Sequence, residues 1–216
     1  LFFILGLILI VGCSNKENNV LEEMKSDRLL SYSFTEKELQ NLSLIVDFFE
    51  EQICGDTKTK SNESIEKCYN NFLRQDSIRL RNQKEMYFFD YKKQEGLYSQ
   101  LDSVFFKSFW GKGKGSFFDG ISEYNDYDYH YLIVNRKYGR FIKEFSKKNQ
   151  FIKETYERLE MNNEFYSPTT PINLSFLYKR FDKNDIKIRL VYALHYLNMN
   201  EQNTHRLRTI ERKECH

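Results

Sequence analysis

Phe34-Thr35-Glu36-Lys37-Glu38, followed by Leu39, Leu42, Val46, Phe49 and Ile53 and closed by Gly55, decides how this chain reads. Thr35 is placed to cap a helix, and Glu38, three residues on, is placed to reach back to it, which is the reciprocal pattern of a capping box. Phe34, just before the cap, can act as a hydrophobic staple. The apolar residues recur at steps of three and four, so they fall on one stripe of a helix. Gly55 then suits the residue just past a helix end. A striped helix of this kind needs other elements to cover it.

Working outward, the same spacing returns. Ile65, Cys68, Tyr69, Phe72 and Leu73 make a second face, with Asp76-Ser77 as an interruption. The pattern resumes through Met86-Tyr87-Phe88-Phe89 to Leu97, Leu101, Val104, Phe105 and Phe109, with a bend expected at Gly96. Trp110-Gly111-Lys112-Gly113-Lys114-Gly115 stops it and reads as a flexible connector. Its spacing does not fit a phosphate loop, and no apolar strand precedes it. Val134, Tyr138, Phe141, Ile142, Phe145, Ile152, Tyr156 and Leu159 restore helical spacing. A last helix is expected from Asp182 as cap, carrying Ile186, Leu190, Val191, Leu194 and Leu197, with a polar, ragged end from Asn198. The fold class expected is all-α, a bundle of about five helices preceded by a signal peptide and a disordered tether. The stretch Tyr127 to Val134 is the one place where a strand could intrude.

Before the first striped helix, Leu1 to Gly12 carries no charge and runs into Cys13, and Ser14 to Asn19 is wholly polar. The run is too short for a bilayer span, which needs ~20 apolar residues, and suits the apolar region of a signal peptide. With no Met and no basic region before Leu1, it is expected to be a signal peptide truncated at its start. Ile10-Val11-Gly12-Cys13 resembles the lipobox of bacterial lipoproteins. That resemblance implies cleavage after Gly12, lipidation of Cys13 and membrane attachment through acyl chains. The organisation expected is signal peptide at 1–12, lipidated Cys13 and flexible tether at 13–33, an N-terminal helical part at 34–110, a Gly-rich and Tyr/Asp-rich connector at 111–131, a C-terminal helical part at 132–199 and a polar tail at 200–216.

The 33 Lys and Arg nearly balance the 31 Asp and Glu, which gives no case for a nucleic-acid partner. Two Pro and nine Gly argue against a turn-rich β-sandwich, whereas 19 Phe and 15 Tyr allow a substantial core. An exported chain is permitted disulfides. Cys54 and Cys68 flank a polar loop and could join two helices; two separate half-buried thiols are the alternative. Cys215 falls in the tail. Asn125, Asp126 and Asp128 lack the glycine and terminal glutamate of a calcium loop, so the Tyr/Asp-rich stretch 123–131 reads as an aromatic, acidic loop suited to a protein partner. Arg136, Lys137, Lys143, Lys147 and Lys148 form a basic flank, either a solvated face or a contact for anionic lipid or glycosaminoglycan. His195 reads as a core or half-exposed histidine. Nothing fits a hydrolase, zinc-protease, redox or dinucleotide motif. No catalytic, cofactor-binding or metal residue is therefore assigned, and the chain is expected not to be an enzyme.

Phe34 to Glu38, Cys68-Tyr69-Asn70-Asn71-Phe72-Leu73 and Arg81-Asn82-Gln83-Lys84-Glu85, together with Cys13 and its Asn/Lys-rich tether, resemble the plasmid-encoded outer-surface lipoproteins of Borrelia spirochaetes, including the multicopy lipoprotein group. The resemblance covers roughly residues 1–105. It implies a helical surface protein on the cell outer membrane, lipid-anchored, non-catalytic and often binding host proteins, as an adhesin or by capture of serum factors. The alternative is a periplasm-facing lipoprotein that scaffolds an envelope complex.

Overall fold

The computed structural model describes residues 19–55, 62–82, 89–118, 124–134, 136–161 and 178–214. In chain order these form α1 (Asn19–Ser26), α2 (Arg28–Ser33), α3 (Glu36–Cys54), α4 (Asn62–Arg81), α5 (Tyr91–Gln100), α6 (Ser103–Phe109), β1 (Trp110–Phe118), β2 (Tyr124–Leu132), α7 (Lys137–Ser146), α8 (Gln150–Met161), a 3-10 turn at Tyr178–Arg180 and α9 (Ile186–Glu214). The fold is mostly helical, as the sequence spacing predicts, but nine α-helices stand among the described residues where about five were expected. Short aspartate-capped helices account for part of the difference, and the rest comes from α1 in the expected tether and from Asn149, whose side chain accepts from Phe151 and Ile152 and starts α8 apart from α7. Asp27 Oδ1 accepts from the N–H groups of Leu29 and Leu30, both at 2.9 Å, and so starts α2. Asp90 starts α5 through Lys92 N–H, and Asp102 starts α6 through Val104 and Phe105. Each satisfies donors that a helix start leaves orphaned.

α3 carries the predicted capping box. Thr35 Oγ1 accepts from Glu38 N–H at 3.4 Å, and Thr35 N–H donates to Glu38 Oε2 at 2.9 Å. Gly55 closes the helix at φ +63°, a conformation other residues adopt only with strain. Cys54, at the end of α3, is disulfide-bonded to Cys68 of α4, with their Cα atoms 5.2 Å apart.

The centre of the molecule is α9. From Ile186 to Glu201 nearly every side chain is buried, with Lys187 the partial exception. A helix hydrophobic on all sides belongs in the interior, and α9 packs against α1, α3, α5 and β2. One aromatic cluster joins Phe49 to Tyr69, Phe72 and Tyr196, at ring separations of 5.6, 5.6 and 5.8 Å. A second places Phe34 against Phe109 and Phe141, at 5.9 and 5.5 Å. Offset and tilted ring pairs add to the area they bury. Arg189 of α9 is nearly inaccessible and donates to Glu50 of α3 and Glu23 of α1, both at 2.6 Å, which fixes α9 against the amino-terminal helices.

Three boundaries differ from those expected. The tether anticipated through residue 33 is helical from Asn19, because Val20, Met24 and Leu30 are buried in the core. The last helix starts at Ile186 rather than at Asp182, with Asp185 Oδ1 accepting from Lys187 N–H at 2.9 Å. It also continues through the anticipated tail to Glu214, because Asn198, Asn200, Glu201 and Thr204 are buried rather than solvated. Residues 215 and 216 lie outside the described residues.

The connector expected at 111–131 is instead an antiparallel hairpin, with Gly111 opposite Tyr131, Gly113 opposite Tyr129 and Gly115 opposite Tyr127. A methyl group at Gly111 would stand 2.6 Å from Tyr131 Cζ, and one at Gly115 would overlap Tyr127. The tyrosine rings thus lie across the glycine strand. Bare backbone is the floor that lets them do so, and cross-strand aromatic packing stabilises a ribbon that glycine alone would weaken.

Candidate functional site

Where β2 runs along α9, two helix side chains replace a neighbouring strand. Leu132 N–H donates to Asn198 Oδ1 at 2.6 Å, and His130 N–H donates to Glu201 Oε1 at 3.0 Å. An open sheet edge leaves alternate N–H groups unpaired, and a three-residue step on the helix matches a two-residue step on the strand closely enough to satisfy both.

Glu201 gathers further donors. His130 Nδ1 lies 3.1 Å from Oε1, and His205 Nε2 lies 3.2 Å from the same oxygen. Tyr91 of α5 gives its hydroxyl proton to Oε2 at 2.9 Å, and its oxygen is 2.7 Å from His205 Nε2. A phenol has one proton to donate. Once it goes to Glu201, the Tyr91 oxygen accepts from His205. The carboxylate is fully buried, whereas the two histidines are each about 30% exposed, at 31% and 29%.

Burial works to raise the Glu201 pKa, but the hydrogen bonds from His130 and His205 and from the His130 backbone outweigh it and hold the group at about 2. Burial first, and then the Glu201 charge, push the Tyr91 hydroxyl up. Arg208 lies over the Tyr91 ring, 4.6 Å from its centroid, and supplies nearby positive charge. A carboxylate so far from neutral, with donors on both oxygens, suits a fixed charge holding three elements together rather than proton transfer near pH 7. Beside it, Asn200 Nδ2 donates to Gln94 Oε1 at 2.8 Å, and Gln94 Nε2 donates to the Leu197 carbonyl at 3.0 Å, which adds a second polar seam between α5 and α9.

Of the residues singled out in the sequence, Cys13 lies outside the described residues, and Cys54 and Cys68 are joined. Asp126 and Asp128 are exposed on β2, and among the described residues no group of three or more His, Cys, Asp or Glu is arranged to hold a metal ion. His195 is fully buried, its Nε2 2.8 Å from Tyr138 Oη, and burial lowers its pKa to about 3. The basic flank divides. Lys137 pairs with Glu38 and Arg136 reaches the Lys107 carbonyl, while Lys143, Lys147 and Lys148 stay exposed. The Glu201 cluster was missed altogether. Its one local signal is the i, i+4 pair Glu201 and His205; Tyr91 and His130 are far away along the chain. No family model, curated protein or solved structure matches this chain.

Proposed function

We propose that this is a lipid-anchored outer-membrane surface lipoprotein, non-catalytic, whose helical body presents a hairpin to a protein ligand from the host or environment. The observation that carries the reading is the junction at the amino end: an apolar run, Gly12-Cys13, a polar stub, and then a helix docked on the core from Asn19. A body that begins six residues after an acylated cysteine is held close to a bilayer. No helix among the described residues is long and apolar enough to cross a membrane, so attachment rests on the acyl chains.

The hairpin supports the ligand-binding half. Tyr127, Tyr129 and Tyr131 are half-buried, so part of each ring is presented, and Lys112, Lys114, Asp126 and Asp128 are exposed on the other face of the ribbon. Tyrosine is enriched in protein interfaces because it brings apolar area and a hydroxyl together. Two measurements test the proposal. Intact mass of the membrane-extracted protein should show a chain beginning at Cys13 with acyl chains; an uncleaved, unmodified chain overturns the anchor. Protease treatment of intact cells should remove the body; full protection would move the protein to the inner face, in favour of an envelope scaffold.

A further inference from the structure

Two adjoining grooves lie on the side of the body that α2 shares with the α7–α8 turn. One, of about 670 Å³, is lined by Lys143, Lys147, Lys148, Lys153 and Tyr156 among others. The next, of about 600 Å³, is lined by Arg28, Leu29, Ser31, Tyr32 and again Lys148. Together they bring five cations to one face. Glu144 holds Lys147 at 2.6 Å and Glu157 stands 3.8 Å from Lys153, but none of Arg28, Lys143 and Lys148 has an ion-pair partner among the described residues. All five cations are exposed. Tyr32, 85% exposed, is the most accessible large apolar side chain among the described residues. Its amphipathic ring suits the boundary between headgroups and water.

This face lies close to where the chain enters the body. α1, eight residues long, spans about 12 Å and leads through Asp27 directly to Arg28. Five residues separate Cys13 from Asn19, a span of at most about 20 Å. A tether this short allows the face to come within the about 8 Å over which the potential of an anionic surface decays at physiological salt.

We infer that the Arg28, Tyr32, Lys143, Lys148 face is a membrane-docking surface for anionic lipid headgroups, which lays the body against the bilayer in one orientation. This rests on the proposed lipid anchor and names the side of the body that faces it. Charge complementarity selects the occupant: cations and an exposed ring match an anionic headgroup layer.

The test uses the chain from Ser14 onward. It lacks the acylated cysteine and keeps every described contact, since the described structure begins at Asn19. Its partitioning is measured on vesicles of phosphatidylcholine alone and with 30% phosphatidylglycerol (~30%, enough to charge the surface). Binding should require the anionic lipid and weaken with salt. The triple variant Arg28→Glu, Lys143→Glu, Lys148→Glu should bind on the order of 100-fold more weakly, at roughly fivefold for each cation lost. The charge-matched variant Lys67→Glu, Lys92→Glu, Lys93→Glu, at exposed positions elsewhere, should bind as the parent does. Circular dichroism should show both variants folded. No binding by the parent, equal loss in both variants, or binding to a sulfated glycan with none to vesicles overturns the inference. The mass of the native protein reports the anchor separately, so a normal lipoprotein whose body ignores anionic vesicles would sink this inference alone.

Discussion

Leu132 gives its backbone N–H to the side-chain carbonyl of Asn198 at 2.6 Å, and with it the hairpin becomes part of a helical body. The edge that would pair with another strand is closed by α9 instead. Replacing Asn198 by Leu keeps the volume and removes the acceptor. The expected cost is about 1–3 kcal/mol, the penalty for burying an unsatisfied donor. Urea unfolding checks the magnitude. Amide exchange checks the cause, since the Leu132 N–H should lose protection first. Unchanged exchange at Leu132 would mean the helix does not hold the strand.

Three glycines should respond differently to alanine. A Cβ at Gly139 would overlap the Val134 carbonyl, which is backbone and cannot swing aside, so Gly139→Ala should cost about 2–4 kcal/mol. At Gly111 the obstacle is the far end of the Tyr131 ring, which can tilt away, so about 1 kcal/mol is expected. Gly96 has nothing within 4 Å of such a Cβ and sits inside α5, so Gly96→Ala should stabilise by about 0.5–1 kcal/mol. Thermal melts of the three variants test the order. If Gly139→Ala were the mildest, the α7 entry would have to be packed differently.

Acid should weaken the fold through His195. Its folded pKa is lowered from 6.5 to about 3 by burial, so the unfolded chain takes up the proton first. The contribution is complete above pH 6.5, declines as pH falls toward 3, and is flat below that. A loss on the order of 5 kcal/mol across this window is expected, at about 1.4 kcal/mol for each unit of displacement. His195→Gln, which can still face Tyr138 Oη, should show a shallower decline between those limits. Parallel profiles for the two proteins would place the acid sensitivity elsewhere.

Joining Cys54 to Cys68 closes a loop with a sequence separation of 14. Loss of such a bridge costs about 3 kcal/mol in the chain-entropy account. Reductant should therefore lower the urea midpoint of the wild type and leave that of the Cys54→Ser, Cys68→Ser double variant where it is. Reactive thiols at Cys54 and Cys68 in the untreated protein, located by peptide mapping, would contradict the bridge.

What could be read from the sequence was whatever is local. The Thr35 and Glu38 box, the stripe of α3 and the stop at Gly55 depend on residues within a few positions of each other, and they stand in the structure as the spacing dictates. The aspartate caps at 90 and 102 were equally local but lay inside an apolar pattern that continues across them, so helices were merged, and the cap at 27 lay in a stretch that reads as a polar tether. The second strand was partly legible, since Tyr127 to Val134 reads as the place for a strand and β2 spans Tyr124–Leu132, but the first was hidden because glycine has no strand preference of its own. Its strand state comes from the tyrosines opposite, which only the pairing reveals. The residues after Asn198 looked like a solvated tail for the same reason. Asn198, Asn200 and Glu201 are polar because they meet backbone and side-chain groups from β2, Phe89 and α5, more than 60 residues earlier. The Glu201 cluster combines all these difficulties, since three elements distant in sequence supply its donors.

The innermost helix follows every other described element along the chain, so α1, α3, α5 and β2 are made before the helix they pack against. When α7 has been made, the Arg189 anchor for Glu23 and Glu50 has yet to be synthesised. The packing that runs through α9 therefore forms only after that helix has been made. Closure of this core is thus a long-range event, completed by the element that lies furthest along the described chain.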